Sequence, residues 1–336
     1  MGVNLFELQV PTERQHPIFK MLLQDRYAPE RAVLQQWAEG FDDRDNKFVQ
    51  EFQMSFESSF WELYLHAALK EWQLPVDMRY HAPDFVVGGA HPFGLEATIA
   101  APPAGGKAAY GYFIDDMPDN LNQFNIQATL RFCNSFDSKV KRYRKYYKDL
   151  EHMTGMPFVI GIASFDQPMA HFSAGRPAIA ALYGLYHDEE ATPHTASNVV
   201  SYNVSAAPKN ENVNIELGLF CDDKYAEVSA VIYSSVAVWG KVRALAENPE
   251  AMTIYTTLHP VEGQLTPNIS RRWKRDYVEH LMDGLYVFHN PFALHPLPKS
   301  LFAHPRIAQM IPAPDGELLT DAPDDFLLVR MLESWL

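Results

Sequence analysis

The chain has 336 residues, a formal net charge of −14 at pH 7 and 47% hydrophobic residues, enough to fill a core. So acidic a chain is not expected to coat nucleic acid with its whole surface, although a local basic patch can still bind it. No run approaches the roughly 18 consecutive apolar residues of a membrane span, and no secretory signal is recognisable. We expect a cytoplasmic protein without membrane association, and we interpret Cys133 and Cys221 as buried thiols.

Residues 1–73 are predicted to be mainly helical. Within residues 1–49, apolar residues recur every four positions around Trp37, which predicts a helical cap. Residues 50–73 carry a broad apolar stripe and predict the strongest helix of the chain, whose more polar side includes Glu62.

A β-hairpin is predicted next. Residues 84–87 are rich in β-forming side chains, glycines at 88–89 favour a turn, and 94–99 read as the return strand. Asp84 begins the first strand and Glu96 lies on the second. The hairpin therefore places two carboxylates side by side on rigid elements.

Periodicity and composition predict the rest of the chain more coarsely. The mixture of helices and apolar strands favours an α/β core with a mixed sheet flanked by helices. The predicted elements are a loop at 101–124, a helix or two at 125–150, a buried strand at 157–165, a helix at 171–190, strands at about 213–220 and 227–235, and a helix at Arg271–Met282.

The carboxylates suggest a site for a divalent cation. Mg²⁺ prefers oxygen ligands, commonly one or two carboxylates with water and substrate phosphate. Asp84 and Glu96 would supply these ligands and Glu62 a third carboxylate, with Glu57 as the alternative to Glu62. The position two residues after Glu96 points to the same strand face, where hydrolytic sites of this layout hold a lysine; here it is Thr98.

A basic segment could replace that lysine. Residues 139–148 contain six basic residues, three tyrosines and no acid. They could contact nucleic-acid phosphates, or they could form an ordinary solvated helix face. Lys139 and Lys141 are the candidates for the missing cation. The candidate nucleic-acid contacts are Lys141, Arg142, Arg144, Lys145 and Lys148.

Together these residues resemble a known superfamily. The order is an acidic residue in a helix, Pro-Asp-Phe, a Glu-x-Lys-like strand, a basic helix and an apolar strand. It resembles the PD-(D/E)XK nucleases, which have the restriction-endonuclease-like fold, over about residues 50–170. Most of the chain also resembles an uncharacterised bacterial family, through segments such as SFWELYLHAALKEW, APDFVVGG, GLEATIA and GMPFVIGIASFD.

The resemblance implies a domain organisation and an activity. It implies a helical cap at 1–49, a nuclease core at 50–170 and an α+β extension at 171–336, packed on the same core. Mg²⁺ or Mn²⁺, held by Asp84, Glu96 and Glu62, would support cleavage of nucleic acid, most readily DNA, in DNA processing or phage defence. Thr98 would orient water, with Lys139 or Lys141 as the cation.

Thr98 leaves the enzymatic assignment open at this stage. The alternative is an inactive protein of the same fold that binds nucleic acid or serves as an assembly subunit. A homodimer and partner proteins of a defence system are both open as well.

Overall fold

The computed structural model describes residues 3–193, 196, 198–210, 212–248, 251–313 and 315–335. Across these ranges, short 3-10 turns connect the main helices and strands. The α-helices are α1 (Pro17–Leu22), α2 (Ala28–Trp37), α3 (Phe48–Met54), α4 (Phe56–Glu71), α5 (Leu121–Lys145), α6 (Arg176–Tyr183) and α7 (Trp239–Leu245). Within the same ranges, no helix combines the length and apolar character needed to cross a membrane.

The strands belong mostly to one large sheet. They are β1 (Val76–Asp77), β2 (Phe85–Val87), β3 (Phe93–Ala100), β4 (Phe158–Ser164), β5 (Leu185–His187), β6 (Ser201–Asn203), β7 (Ala206–Asn210), β8 (Val213–Glu216), β9 (Val228–Ser234), β10 (Met252–Val261), β11 (Gln264–Trp273), β12 (Leu285–His289), β13 (Ile307–Pro312), β14 (Leu318–Asp321) and β15 (Val329–Trp335).

The large sheet has eight strands in the order β1-β2-β3-β4-β9-β12-β13-β14. The pairs β1–β2 and β2–β3 are antiparallel, whereas β3, β4 and β9 run parallel to one another. A separate antiparallel sheet has the order β11-β10-β15. Because β9 and β12–β14 complete the sheet that β1–β4 begin, residues beyond 170 share the core of the preceding part.

Helices cover both faces of the large sheet. On one face, Leu95 and Val159 belong to a buried cluster with Phe60 of α4 and the other N-terminal helices. On the opposite face, Ile160 packs in a cluster that contains Phe136 of α5. Strand β4 is buried along its whole length, as its continuous apolar sequence requires. The predicted mixed α/β architecture with flanking helices is confirmed.

Most predicted elements near the hairpin are confirmed, with one difference in the helix before it. The predicted helix at 50–73 forms as α3 and α4, because Ser55 leaves helical geometry at φ −126°, ψ 54°. The hairpin forms as β2 and β3. The helix predicted from 125 begins earlier, at Leu121, where the side chain of Asn120 accepts a hydrogen bond from the Gln123 N–H and caps it.

Several predictions outside the hairpin were wrong. The expected helix at 171–190 ends at Tyr183, because Gly184 takes a left-handed conformation, and β5 follows. The expected helix at Arg271–Met282 is instead the end of β11, followed by a 3-10 turn and irregular chain. Cys133 is buried as expected, but Cys221 is exposed.

Candidate active site at the hairpin

The hairpin brings Asp84 and Glu96 together through its register. In this antiparallel pair, Phe85 lies opposite Leu95 and Val86 lies opposite Gly94. The same register places Asp84 opposite Glu96. The Asp84 Oδ2 atom accepts a hydrogen bond from the backbone N–H of Ala97 at 2.7 Å. This bond fixes one carboxylate against the strand that carries the other.

Glu96 points to the face of the sheet that α5 covers. Its neighbours Leu95 and Ala97 belong to the cluster on the opposite face, and side chains alternate along a strand. The side chain of Glu96 is fully buried. Burying an unpaired carboxylate costs free energy, so the stability of this arrangement depends on the groups that pair with Glu96.

Two cations from α5 provide that pairing. The Lys139 Nζ atom lies 2.8 Å from Glu96 Oε1, and Arg142 Nη1 lies 3.5 Å from the same oxygen. The Lys139 side chain is 16% exposed, whereas that of Arg142 is 54% exposed. The second oxygen, Oε2, has no hydrogen-bond partner among the described residues. Glu96 is therefore paired with two cations through one oxygen, and its other oxygen is buried without a hydrogen-bond partner among the described residues.

The packing of α5 against β3 explains why Lys139 reaches the site. The Ser135 hydroxyl donates to the Ile99 carbonyl at 2.8 Å, and one turn later Lys139 meets Glu96. The helix thus runs antiparallel to β3, anchored by the buried side chains of Phe136 and Val140. A lysine from α5 consequently lies on the strand face that also carries Thr98.

The second candidate cation lies elsewhere. Lys141 is exposed and forms an ion pair with Asp137 at 2.5 Å, one turn earlier on the same helix. Residues 139 and 141 are about 200° apart around a helix, so they cannot serve the same carboxylate. Of the two lysines suggested by the sequence, only Lys139 contacts the hairpin carboxylates.

Asp84 and Glu62 hold their protons more strongly than ordinary carboxylates do. Burial, followed by the negative charge of Glu96, raises the pKa of Asp84 to about 7, although Lys139 opposes the shift. The pKa of Glu62, a half-buried residue of α4, is raised well above its ordinary value by burial and then by Asp84. A cation placed among these groups would relieve the same repulsion.

Two residues of this neighbourhood were missed in the sequence. Arg44 donates to the Asp84 carbonyl at 3.1 Å and also to the Tyr80 carbonyl, and its charge opposes the rise in the pKa of Glu62. The phenol of Tyr147 lies beside Glu96, and burial followed by that negative charge raises its pKa. Tyr147 belongs to the basic segment noted earlier, but no pattern singled out Arg44.

Glu57, the alternative to Glu62, occupies a different environment. Its carboxylate pairs with His16 at 3.2 Å. Glu62, in contrast, interacts electrostatically with Asp84 and Glu96. The structure therefore associates Glu62, and not Glu57, with the hairpin.

Asp84 and Glu96 are the oxygen donors that the hairpin brings together. Within the described ranges, no group of three or more His, Cys, Asp or Glu residues is arranged to hold a metal ion. The two carboxylates are adjacent, and Glu96 Oε2 has no hydrogen-bond partner among the described residues. Mg²⁺ commonly binds through one or two carboxylates and completes its shell with water. Two carboxylates are the minimum that such an ion would need here, and Glu62 interacts electrostatically with both.

The basic segment is partly neutralised by its neighbours. Lys141 pairs with Asp137, Arg142 with Glu96, and Arg144 with Glu227. Lys145 and Lys148 are exposed and have no ion pair among the residues that the structure describes. Of the basic segment at 139–148, these two lysines are therefore the ones without an acidic partner among the described residues.

Comparisons with known proteins add no relative. No family model, no curated protein and no solved structure matches the chain. Function is therefore inferred from the fold and the site residues alone.

Proposed function

We propose that the chain is a metal-dependent nuclease of the PD-(D/E)XK type that hydrolyses phosphodiester bonds in nucleic acid. The observation that carries the proposal is the contact between Lys139 and Glu96, at 2.8 Å. It supplies a lysine amine on the strand face where Thr98 replaces the lysine of the motif. The order α4, β2–β3, α5 and β4 supports the proposal, since it follows the pattern that suggested the superfamily.

Each residue of the cluster has a chemical role in this proposal. Asp84 and Glu96 would hold Mg²⁺ or Mn²⁺, which polarises the phosphate and activates a water molecule. Lys139 would offset negative charge that develops on the phosphate, and Thr98 would hydrogen-bond the attacking water. Glu62, which interacts electrostatically with Asp84 and Glu96, would bind a second metal ion or position this water.

The proposed substrate is DNA, bound in part through the end of α5. Lys145 and Lys148 would contact backbone phosphates, since both are exposed and form no ion pair among the described residues, although the Lys145 ammonium lies over the ring of Tyr146. Phosphate contacts position a nucleic acid without reading its sequence. A role in DNA processing or phage defence in the cytoplasm, alone or with partner proteins, belongs to the same proposal.

One observation favours an inactive protein with the same fold. Glu96 is fully buried, and Lys139 already occupies one of its oxygens. A site of this kind could remain as a structural ion pair in a protein that only binds nucleic acid. Binding without cleavage is the result that would distinguish this second candidate.

The deciding experiment is a cleavage assay on the full chain. Plasmid DNA, single-stranded DNA and RNA would be incubated with Mg²⁺ or Mn²⁺, and with EDTA as the metal-free control. We expect metal-dependent cleavage that falls by about 100-fold or more in the Asp84→Asn variant, because a ligand of the proposed ion is lost. Asp115→Asn, in an exposed loop, is the matched control and should cleave like the wild type.

Two other outcomes of this assay would contradict the proposal. Equal cleavage by Asp84→Asn and wild type would contradict the assigned site. Salt-sensitive DNA binding without cleavage in either metal would overturn the nuclease proposal and favour the inactive alternative.

A further inference from the structure

An apolar cavity lies away from the hairpin carboxylates. Its volume is about 410 Å³, and it lies between α1, the start of α4, the loop after β3 and β15. Ligand pockets typically measure about 300–1,000 Å³ and are lined mainly by apolar and aromatic groups. The aromatic residues in the wall are Phe56, Tyr110, Tyr112, Phe165 and Trp239. The space suits one small aromatic molecule.

Two buried polar side chains interrupt the apolar wall. His171 is 5% exposed and Arg330 is 3% exposed, and both line the cavity. Within the described chain, His171 Nε2 and Arg330 Nε have no hydrogen-bond partner. Unpartnered buried polar groups are rare because each costs free energy. A ligand with a hydrogen-bonding group could supply the missing partner.

Two buried cations share one acid beside the cavity. Glu279 is the partner of both, since Lys241 lies 2.5 Å from its carboxylate and Arg330 contacts the same oxygen. Asp283 also interacts electrostatically with Lys241, and its partner Arg306 has a second acid in Asp325. In the Arg330 guanidinium, one Nη group contacts Glu279 and the other donates to the Val236 carbonyl, which leaves Nε as the donor without a partner among the described residues.

The backbone beside Arg330 is shaped to accommodate the guanidinium. A Cβ atom on Gly240 would lie 2.8 Å from Arg330 Nη2 and 3.0 Å from Leu332 Cδ2. Gly240 and Leu332 also line the cavity. The glycine therefore leaves room for a charged side chain at the cavity wall, where a larger residue would displace it.

From these contacts we infer that the cavity binds a small aromatic carboxylate. Its ring would lie among the aromatic side chains and its carboxylate would pair with Arg330, with His171 as a second, uncharged partner. Burial lowers the pKa of His171 to about 3, so the imidazole is neutral at physiological pH and can donate or accept a hydrogen bond.

An aromatic amine is the main competing ligand class. Glu57 lines the cavity too, but its carboxylate is already paired with His16 at 3.2 Å. Arg330 carries a positive charge and an Nε–H group that has no hydrogen-bond partner among the described residues. The electrostatics therefore favour an acid over an amine.

The test is calorimetric titration of the full chain with matched ligands. Benzoate, 4-hydroxyphenylacetate and indole-3-acetate are the acids; their neutral amides and the corresponding amines are the comparisons. We expect at least one acid to bind with one-to-one stoichiometry and at least about tenfold more tightly than its amide, with no binding of the amine.

A blocking variant locates the binding. Ala109→Phe introduces a ring into the cavity wall from a half-buried loop position and should weaken acid binding at least about tenfold. Ala104→Phe, at an exposed position of the same loop, is the matched control and should bind normally. Lack of binding by all three acids at millimolar concentration, equal binding of acid and amide, or normal binding by Ala109→Phe would overturn the inference.

Discussion

The Lys139 ammonium lies 2.8 Å from the carboxylate of Glu96, across the contact between α5 and β3. The two residues are 43 positions apart in the sequence, and the carboxylate is fully buried. A buried ion pair contributes little when intact, because desolvation offsets attraction, but removal of one partner leaves an uncompensated charge. Loss of either residue is therefore expected to lower the stability of the fold and to alter the candidate site.

Loss of Lys139 should destabilise the protein strongly. We expect Lys139→Met to lower the free energy of unfolding by about 3 kcal/mol, since Glu96 remains buried with Arg142 as its one remaining cationic partner among the described residues. Urea denaturation measures the change. Lys141→Met, at an exposed pair, should change stability by less than about 0.5 kcal/mol. Adding Glu96→Gln to Lys139→Met should recover stability, and a single Lys139→Met variant as stable as wild type would contradict the burial argument.

Metal binding at the hairpin should depend on pH. The pKa of Asp84 is raised to about 7, so below that pH an ion must displace a proton. We expect the affinity for Mn²⁺ to fall about tenfold per pH unit below pH 7 and to level off above it. Calorimetry at several pH values measures this slope. Asp84→Asn should lose binding, and an affinity that is constant through the acidic range would contradict the assignment.

Asp166 provides an independent test of buried charge. This residue follows β4 and is 2% exposed, and burial raises its pKa from an ordinary value of 3.8 to about 6. The folded state therefore binds its proton more strongly than the unfolded state. The resulting destabilisation is absent below about pH 4, grows as the pH rises and is complete above about pH 6.

Replacing Asp166 by asparagine should remove that penalty. We expect Asp166→Asn to be more stable than wild type at neutral pH, by as much as about 3 kcal/mol, with no gain below about pH 4. Thermal or urea unfolding across this pH range measures the difference. A gain that is the same at acidic and neutral pH would show that charge is not its cause.

The basic end of α5 should contribute to nucleic-acid affinity through salt-dependent contacts. Lys145→Ala with Lys148→Ala should reduce the slope of log affinity against log salt by about 2, because each phosphate contact contributes about 0.9 for double-stranded DNA. Fluorescence anisotropy with a labelled duplex measures the slope. The matched control combines Lys209→Ala and Lys299→Ala, two exposed lysines outside α5. An equal decrease in the control would show only an effect of total charge.

The hairpin could be predicted because its signals are local. Glycines at 88–89 interrupt two runs of β-forming residues, and the strand at 158–164 is continuously apolar. From that hairpin alone, Asp84 and Glu96 were expected to be neighbours. The basic run also indicated Lys139 and Lys141 as candidate cations, but the burial of the carboxylates and the choice between the two lysines depend on how α5 crosses β3, which no local pattern encodes.

The C-terminal strands were harder to predict. The sequence of 271–282 predicts a helix, but its first residues belong to β11, an edge strand of the small sheet. This strand pairs on one side only and is largely exposed, so it lacks the strong apolar alternation that would identify it. No sequence pattern indicated Arg44 either, because it donates to the backbone carbonyls of Tyr80 and Asp84, which are distant in the sequence.

The most direct test of the central claim is a cleavage assay that moves the lysine. Lys139→Met should lose about 100- to 1,000-fold in rate, and Thr98→Lys introduced into that variant should restore most of the activity, because residue 98 shares the strand face of Glu96. Recovery also controls for misfolding, since the new lysine can pair with the buried Glu96. Cleavage by Lys139→Met at the wild-type rate would contradict the claim that Lys139 replaces the lysine absent at position 98.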